Sequence, residues 1–111
     1  VSLLLAAALA ASPFAQCVAC HALEPGRNSP AGPTLHAIVG RPVASLPGFN
    51  YSPALRRFAR RNPRWTPDLL DRFLANPEAL VPGTEMGFLG LADPARRRAL
   101  ITWFAGPRQR N

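Results

Sequence analysis

Proline interrupts this chain of 111 residues thirteen times, and glycine a further eight. A proline inside a helix removes a hydrogen bond and clashes with the preceding turn, and in a central strand it removes a ladder bond. Long continuous helices and a large sheet are therefore excluded, and short helices joined by turn-rich loops are expected. Several prolines stand directly behind a capping residue, as in Ser12-Pro13, Ser52-Pro53, Thr66-Pro67-Asp68 and Asp93-Pro94. A side-chain oxygen followed by proline at the first helical position is a start signal. Helices are thus predicted to begin at these points. Leu55, Phe58 and Ala59 form the apolar face of the second, Leu69, Leu70, Phe73 and Leu74 that of the third, and Leu100, Ile101, Trp103 and Phe104 that of the last. Asn76-Pro77 stops the third helix, and the following PEALVPGTEMGFLGL reads as a short turn and then a loop. Residues 22–52 read as loop throughout. No internal repeat and no second domain are visible, and the predicted class is all-α with much irregular chain.

A single core of this size is marginal on its own, and small domains often borrow stability from a staple or a cofactor. The segment QCVACHAL, residues 16–23, offers one. It contains both cysteines, Cys17 and Cys20, with His21 directly behind. A thioredoxin-like redox pair would sit beside a βαβ pattern, and none exists here. A structural zinc site needs four protein ligands, and the only further histidine is His36. The remaining chemistry of C-x-x-C-H is haem attachment. On a helical turn positions 17, 20 and 21 face one side, so two thioethers could hold one porphyrin while the imidazole reaches its iron. A chance disulfide or two buried thiols is the plain alternative.

Haem iron held by His21 has a sixth position. Met86, the one methionine, lies in PGTEMGF between Pro82, Gly83 and Gly87, on no helical stripe. A thioether there raises the reduction potential and closes the site to small molecules, which suits electron transfer. His36 is the competitor. It follows His21 closely on the same flank and reads as a loop histidine.

The segments CVACH, AGPTLHAIVGR, PGFNYS, Trp65, NPEALVPGTEM and LITWF fall in the order and nearly the spacing of the class I cytochromes c, and over roughly residues 13–105 the chain resembles that family. The resemblance implies a small all-α fold wrapped round one covalently attached haem c per chain. It implies that Cys17 and Cys20 form the thioethers and that His21 and Met86 are the proximal and distal iron ligands. Pro33 matches the proline whose carbonyl orients the proximal imidazole. Arg41, Tyr51 and Trp65 match groups that hydrogen-bond the haem propionates, Thr84 one that helps hold a propionate, and Phe88 an aromatic near the exposed haem edge. Gly32 and Gly40 fit tight backbone positions. Three departures stand out. Phe73 replaces the tyrosine that usually donates to the methionine sulfur, and Leu55 replaces an asparagine near that network. Gln16, Glu78, Ala79 and Glu85 stand where a basic ring usually surrounds the haem edge.

The net charge is +7, and all thirteen basic residues are arginine. They cluster at 56–64 and 96–98 without the interleaved aromatics of a base-stacking surface, so no nucleic-acid partner is expected. The expected function is one-electron transfer between donor and acceptor proteins by a monomer that is not an enzyme. A peroxidase-like or gas-binding protein with a labile Met86, and the haem domain of a larger membrane-bound complex, are the alternatives. The apolar run over residues 1–11 is too short to span a bilayer, which needs about 20 residues. With ALA at 8–10 it reads as a residual signal or anchor segment ahead of a cytochrome domain at 12–111, although the first basic residue of the sequence is Arg27; a buried first helix is the alternative. A periplasmic location follows, with membrane association through that segment left open.

Overall fold

The computed structural model describes residues 15–107. Four helices carry the fold: α1 (Pro53–Arg61), α2 (Pro67–Ala75), α3 (Pro77–Leu80) and α4 (Pro94–Phe104). Each opens on proline behind a side-chain cap. Ser52 accepts from the Leu55 amide at 3.1 Å, Thr66 from Leu69 at 3.1 Å, Asn76 from Ala79 at 3.2 Å and Asp93 from Ala95 at 2.9 Å. Each cap satisfies one of the amides a helix start leaves without a partner.

Two local expectations change. The segment PEAL, read as a turn, forms the one-turn helix α3, because Asn76 ends α2 in an extended conformation and its side chain then caps the next turn. The expected helix from Ser12-Pro13 starts outside the described residues, as does the whole signal or anchor segment. Its described part is only a 3-10 turn, Cys17–Ala19. The amides of both Cys20 and His21 bond the Cys17 carbonyl, at 3.1 and 2.9 Å, so the chain closes one turn there and leaves it.

α2 and α4 pack against each other, and α2 also contacts α3. Leu69, Leu70 and Phe73 of α2 meet Leu100 and Phe104 of α4 in a core that also takes in Ile38, Val43, Ala54, Trp65 and Val81. Arg97 of α4 reaches Asp71 of α2, Nε to Oδ1 at 2.8 Å, and also donates to the carbonyls of Leu91 and Ala92 at 2.7 and 3.1 Å. Gly90, at φ +125°, lies flat against the end of α2, where a Cβ would run into the Ala75 carbonyl.

Among the described residues there are no strands, only an isolated antiparallel bridge between Pro42 and Arg64. Around it the Gly40 amide bonds the Trp65 carbonyl at 2.7 Å, Trp65 bonds Arg41 at 2.9 Å and Val43 bonds Pro63 at 2.9 Å. This pairing draws the loop after His36 onto the α1–α2 linker and sets Arg41 beside Trp65. The all-α class expected from the sequence therefore holds.

Candidate haem site

The C-x-x-C-H turn forms one side of a cleft of about 370 Å³. Cys17 and His21 line it. Cys20, at the end of the 3-10 turn, is exposed and is not among the wall residues. His21 is fixed from behind, since its Nδ1 lies 2.7 Å from the Pro33 carbonyl. A carbonyl only accepts, so Nδ1 carries the proton and Nε2 keeps its lone pair. Burial pushes the His21 pKa below its ordinary value. The Pro33 bond opposes that shift, and the Arg41 charge adds to it. A neutral imidazole with a free nitrogen is the form that binds iron. Burial also raises the Cys17 thiol.

The Pro33 loop has its own support. Ser29 Oγ donates to the Cys20 carbonyl at 2.5 Å and accepts from the Ala31 and Gly32 amides, both at 3.2 Å. Asn28 accepts from the Thr34 amide at 3.0 Å and donates to the Pro47 carbonyl at 3.1 Å. Gly32 passes so close to the imidazole that a Cβ there would stand 2.6 Å from His21 Cε1 and Nδ1. Asn28 and Ser29 stand in none of the motifs that mark the site. Their signal is the N-S-P-A-G-P run, since Asn and Ser next to proline commonly bond neighbouring backbone.

Arg41, Tyr51 and Trp65 line the same cleft. Arg41 Nη1 donates to the carbonyls of Thr34 and His36 at 2.8 and 3.0 Å. Burial works against its charge, and nearby Tyr51 opposes that shift. Among the described residues no carboxylate pairs with it. Tyr51 is buried, and its hydroxyl accepts from the Leu46 amide at 3.1 Å. That bond leaves the hydroxyl hydrogen to be donated elsewhere. Trp65 packs on Phe73 with ring centroids 5.1 Å apart, and both rings line the cleft.

A third segment brings Thr84, Glu85 and Met86 to the cleft. Thr84 Oγ1 accepts from the Met86 amide at 3.2 Å, and Glu78 accepts from Gly83 at 3.0 Å, so both side chains hold the methionine loop. Phe88 is half-buried and is not among the wall residues, and His36 is absent from the walls as well. The His36 carbonyl receives Arg41, and its amide donates to Thr34 Oγ1 at 3.2 Å. Core residues Ile38, Leu70, Phe73, Leu100 and Phe104 supply much of the remaining lining, which also includes the polar Asn50 and Ser52. The cleft therefore offers a neutral imidazole, a thioether, one thiol on its wall with a second just outside, and a half-buried cation, all within apolar walls. That donor set fits a porphyrin bearing carboxylates.

No family model matches the chain. Whole proteins do. Cytochrome c-550 of Ancylobacter novellus is 41% identical over 86 residues, covering 78% of this chain and 80% of that protein. Cytochrome c2 of Rhodomicrobium vannielii is 40% identical over 92 residues, covering 83% of this chain and 71% of that protein. The solved structure of cytochrome cH from Methylobacterium extorquens superposes with a TM-score of 0.76 at 35% identity, over 89% of this chain and 96% of that one. The identity, its extent and the shared fold agree with the cleft: the chain belongs to the class I cytochromes c, electron carriers rather than enzymes, with one covalently bound haem c.

Proposed function

We propose that this cytochrome shuttles single electrons between partner proteins with His21 and Met86 as the axial ligands of its haem. Cys17 and Cys20 form the thioether links in this reading. The observation that carries it is the pairing of His21 Nδ1 with Pro33 at 2.7 Å in a cleft whose walls also include Met86 but not His36. When bound, the haem supplies an iron that takes up and gives up one electron. The residues of the chain do the rest. Pro33 fixes the tautomer and plane of His21 and strengthens it as a donor. Thr84 holds the backbone of Met86. Arg41, Tyr51 and Trp65 receive the propionates, because a half-buried guanidinium without a carboxylate partner is stabilised by an anion beside it. The apolar walls exclude water, which lowers the cost of rearrangement when the charge changes.

An exported, periplasmic location goes with this reading, supported by the apolar run at residues 1–11. Among the described residues no helix is long and apolar enough to cross a membrane.

Met86→Ala tests the ligation. It should abolish the weak long-wavelength band of thioether-bound ferric haem and lower the reduction potential by more than about 100 mV, a fraction of the ~0.8 V that axial ligands command. A variant with the parent spectrum and potential would assign the sixth position to another residue.

A further inference from the structure

The arginine clusters are not equivalent once folded. Arg97 is spent on Asp71 and two carbonyls. The sequence of α1, PALRRFARR, contains no acidic residue, and Arg56, Arg57, Arg60 and Arg61 are all exposed. The pairs 56/60 and 57/61 stand one helical turn apart, where like charges destabilise a helix. Among the described residues no carboxylate relieves them, the ion pairs being Arg27–Glu24 and Arg97–Asp71. The face is also held in place. Arg56 donates to the Tyr51 carbonyl at 3.1 Å and to Asn50 at 2.9 Å, and Arg64, just beyond the helix, donates to Gly40 at 2.9 Å. Acidic residues lie elsewhere: Glu85 lines the cleft beside Met86, and Glu78 bonds the loop leading to it.

The inner side of α1 is a wall of the cleft. Tyr51 and Ser52, at its start, and Leu55, on it, line the cavity. A helix with its side chains is about 10–12 Å across. A body resting on the arginine face therefore lies about one helix diameter from the cleft.

We propose that the outer face of α1 is the docking surface for a carboxylate-rich redox protein, which meets this cytochrome against that wall. Arginine forks match carboxylates two bonds at a time. Other polyanions fit less well. The exposed large apolar side chains among the described residues are Val18 and Leu89, neither on α1, so the face has nothing to insert into a lipid surface. Phe58, its one aromatic, packs half-buried on the core and offers no plane for a base. The proposal rests on the electron-carrier function and is independent of the Met86 ligation.

Reduced flavodoxin, an acidic redox protein, is the probe. One electron leaves the flavin and arrives on the ferric iron, and no atom is transferred. The second-order rate is measured on the holoprotein by stopped flow at low salt and again in high salt. Arg57→Gln/Arg60→Gln/Arg61→Gln is compared with Arg72→Gln/Arg96→Gln/Arg98→Gln, which removes the same charge from α2 and α4. Glutamine keeps the helix propensity. The α1 variant should be slower by about tenfold at low salt and the control by less than about twofold, as expected when charge at the docking face steers encounter. The gap should close once the Debye length falls to a few ångströms. Equal slowing in both variants would mean that only net charge matters and would overturn the proposal, as would an unchanged rate in the α1 variant. Loss of wild-type binding to phosphatidylserine vesicles in the α1 variant, with an unchanged flavodoxin rate, would assign the face to lipid instead. If the triple variant fails to hold haem, Arg60→Gln alone should slow the reaction about twofold at low salt, and no slowing would refute the docking face.

Discussion

Adding one methyl group at Gly32 should disturb both the potential and the stability of this cytochrome. The new Cβ would stand 2.6 Å from two atoms of the His21 ring and 3.0 Å from the Cys20 carbonyl, where ordinary contact begins at 3.4 Å. Ring and loop must separate by about 0.8 Å, the shortfall from that contact distance. The loop cannot yield freely, because Ser29 ties the Gly32 amide to the Cys20 carbonyl. The ring cannot yield without stretching its 2.7 Å bond to Pro33, the very next residue. Overpacking of this kind costs about 1–3 kcal/mol. At about 4–8 °C per kcal/mol for a small domain, the melting temperature should fall by roughly 5–20 °C. The weakened hydrogen bond, worth about 0.5–1.5 kcal/mol in full, makes the imidazole a poorer donor and so favours the ferrous state. One decade is 59 mV for one electron, so the potential should rise by at most about 20–60 mV. Spectroelectrochemistry and thermal unfolding of Gly32→Ala measure both effects. A variant with the parent potential and melting temperature would refute the placement of the ring against this glycine.

Other perturbations address different parts of the molecule. Arg97→Met removes the α4–α2 ion pair and two carbonyl contacts from a side chain only 13% exposed, and should cost about 1.5–3 kcal/mol in urea unfolding; a loss below ~0.5 kcal/mol would reduce the pair to a surface contact. Phe73→Tyr puts a donor on a ring that lines the cleft, and should move the potential by tens of millivolts, since one hydrogen bond is worth about 0.5–1.5 kcal/mol; an unchanged potential would mean the ring edge does not face the Met86 sulfur.

Much of this was readable before folding because the signals were local. A cap followed by proline marks a helix start within two residues, and Ser52, Thr66 and Asp93 each act so. Asn76 was read only as a stop, since Asn-Pro signals an end and a beginning alike; the extended backbone at Asn76 makes it both. Cys17, His21 and Met86 announced themselves by spacing or by uniqueness, and the cleft brings them together. The less legible features depend on distant pairing. Arg97 looked like one more solvated arginine, but its partner Asp71 is 26 residues away. Arg41 reads as a propionate ligand, yet it also clamps the turn at Thr34 and His36. Phe88 is placed near the haem edge by the family resemblance, and a half-buried position beside the cleft walls neither requires nor excludes that.

The cleft and the core are one structure. Ile38, Trp65, Leu70, Phe73, Leu100 and Phe104 belong to the buried cluster and also form the cleft walls. A haem seated among such side chains completes their packing, and a small domain with about 5–15 kcal/mol of net stability leans on such a piece. In the proposed reading, thioethers at Cys17 and Cys20 keep that core piece from dissociating, so the links that retain the redox centre also retain the fold. In that reading the C-x-x-C-H turn, the Pro33 loop and the Met86 loop hold the group on which the folded state depends, whereas Phe73 and the residues near the haem edge bear on potential and partner choice.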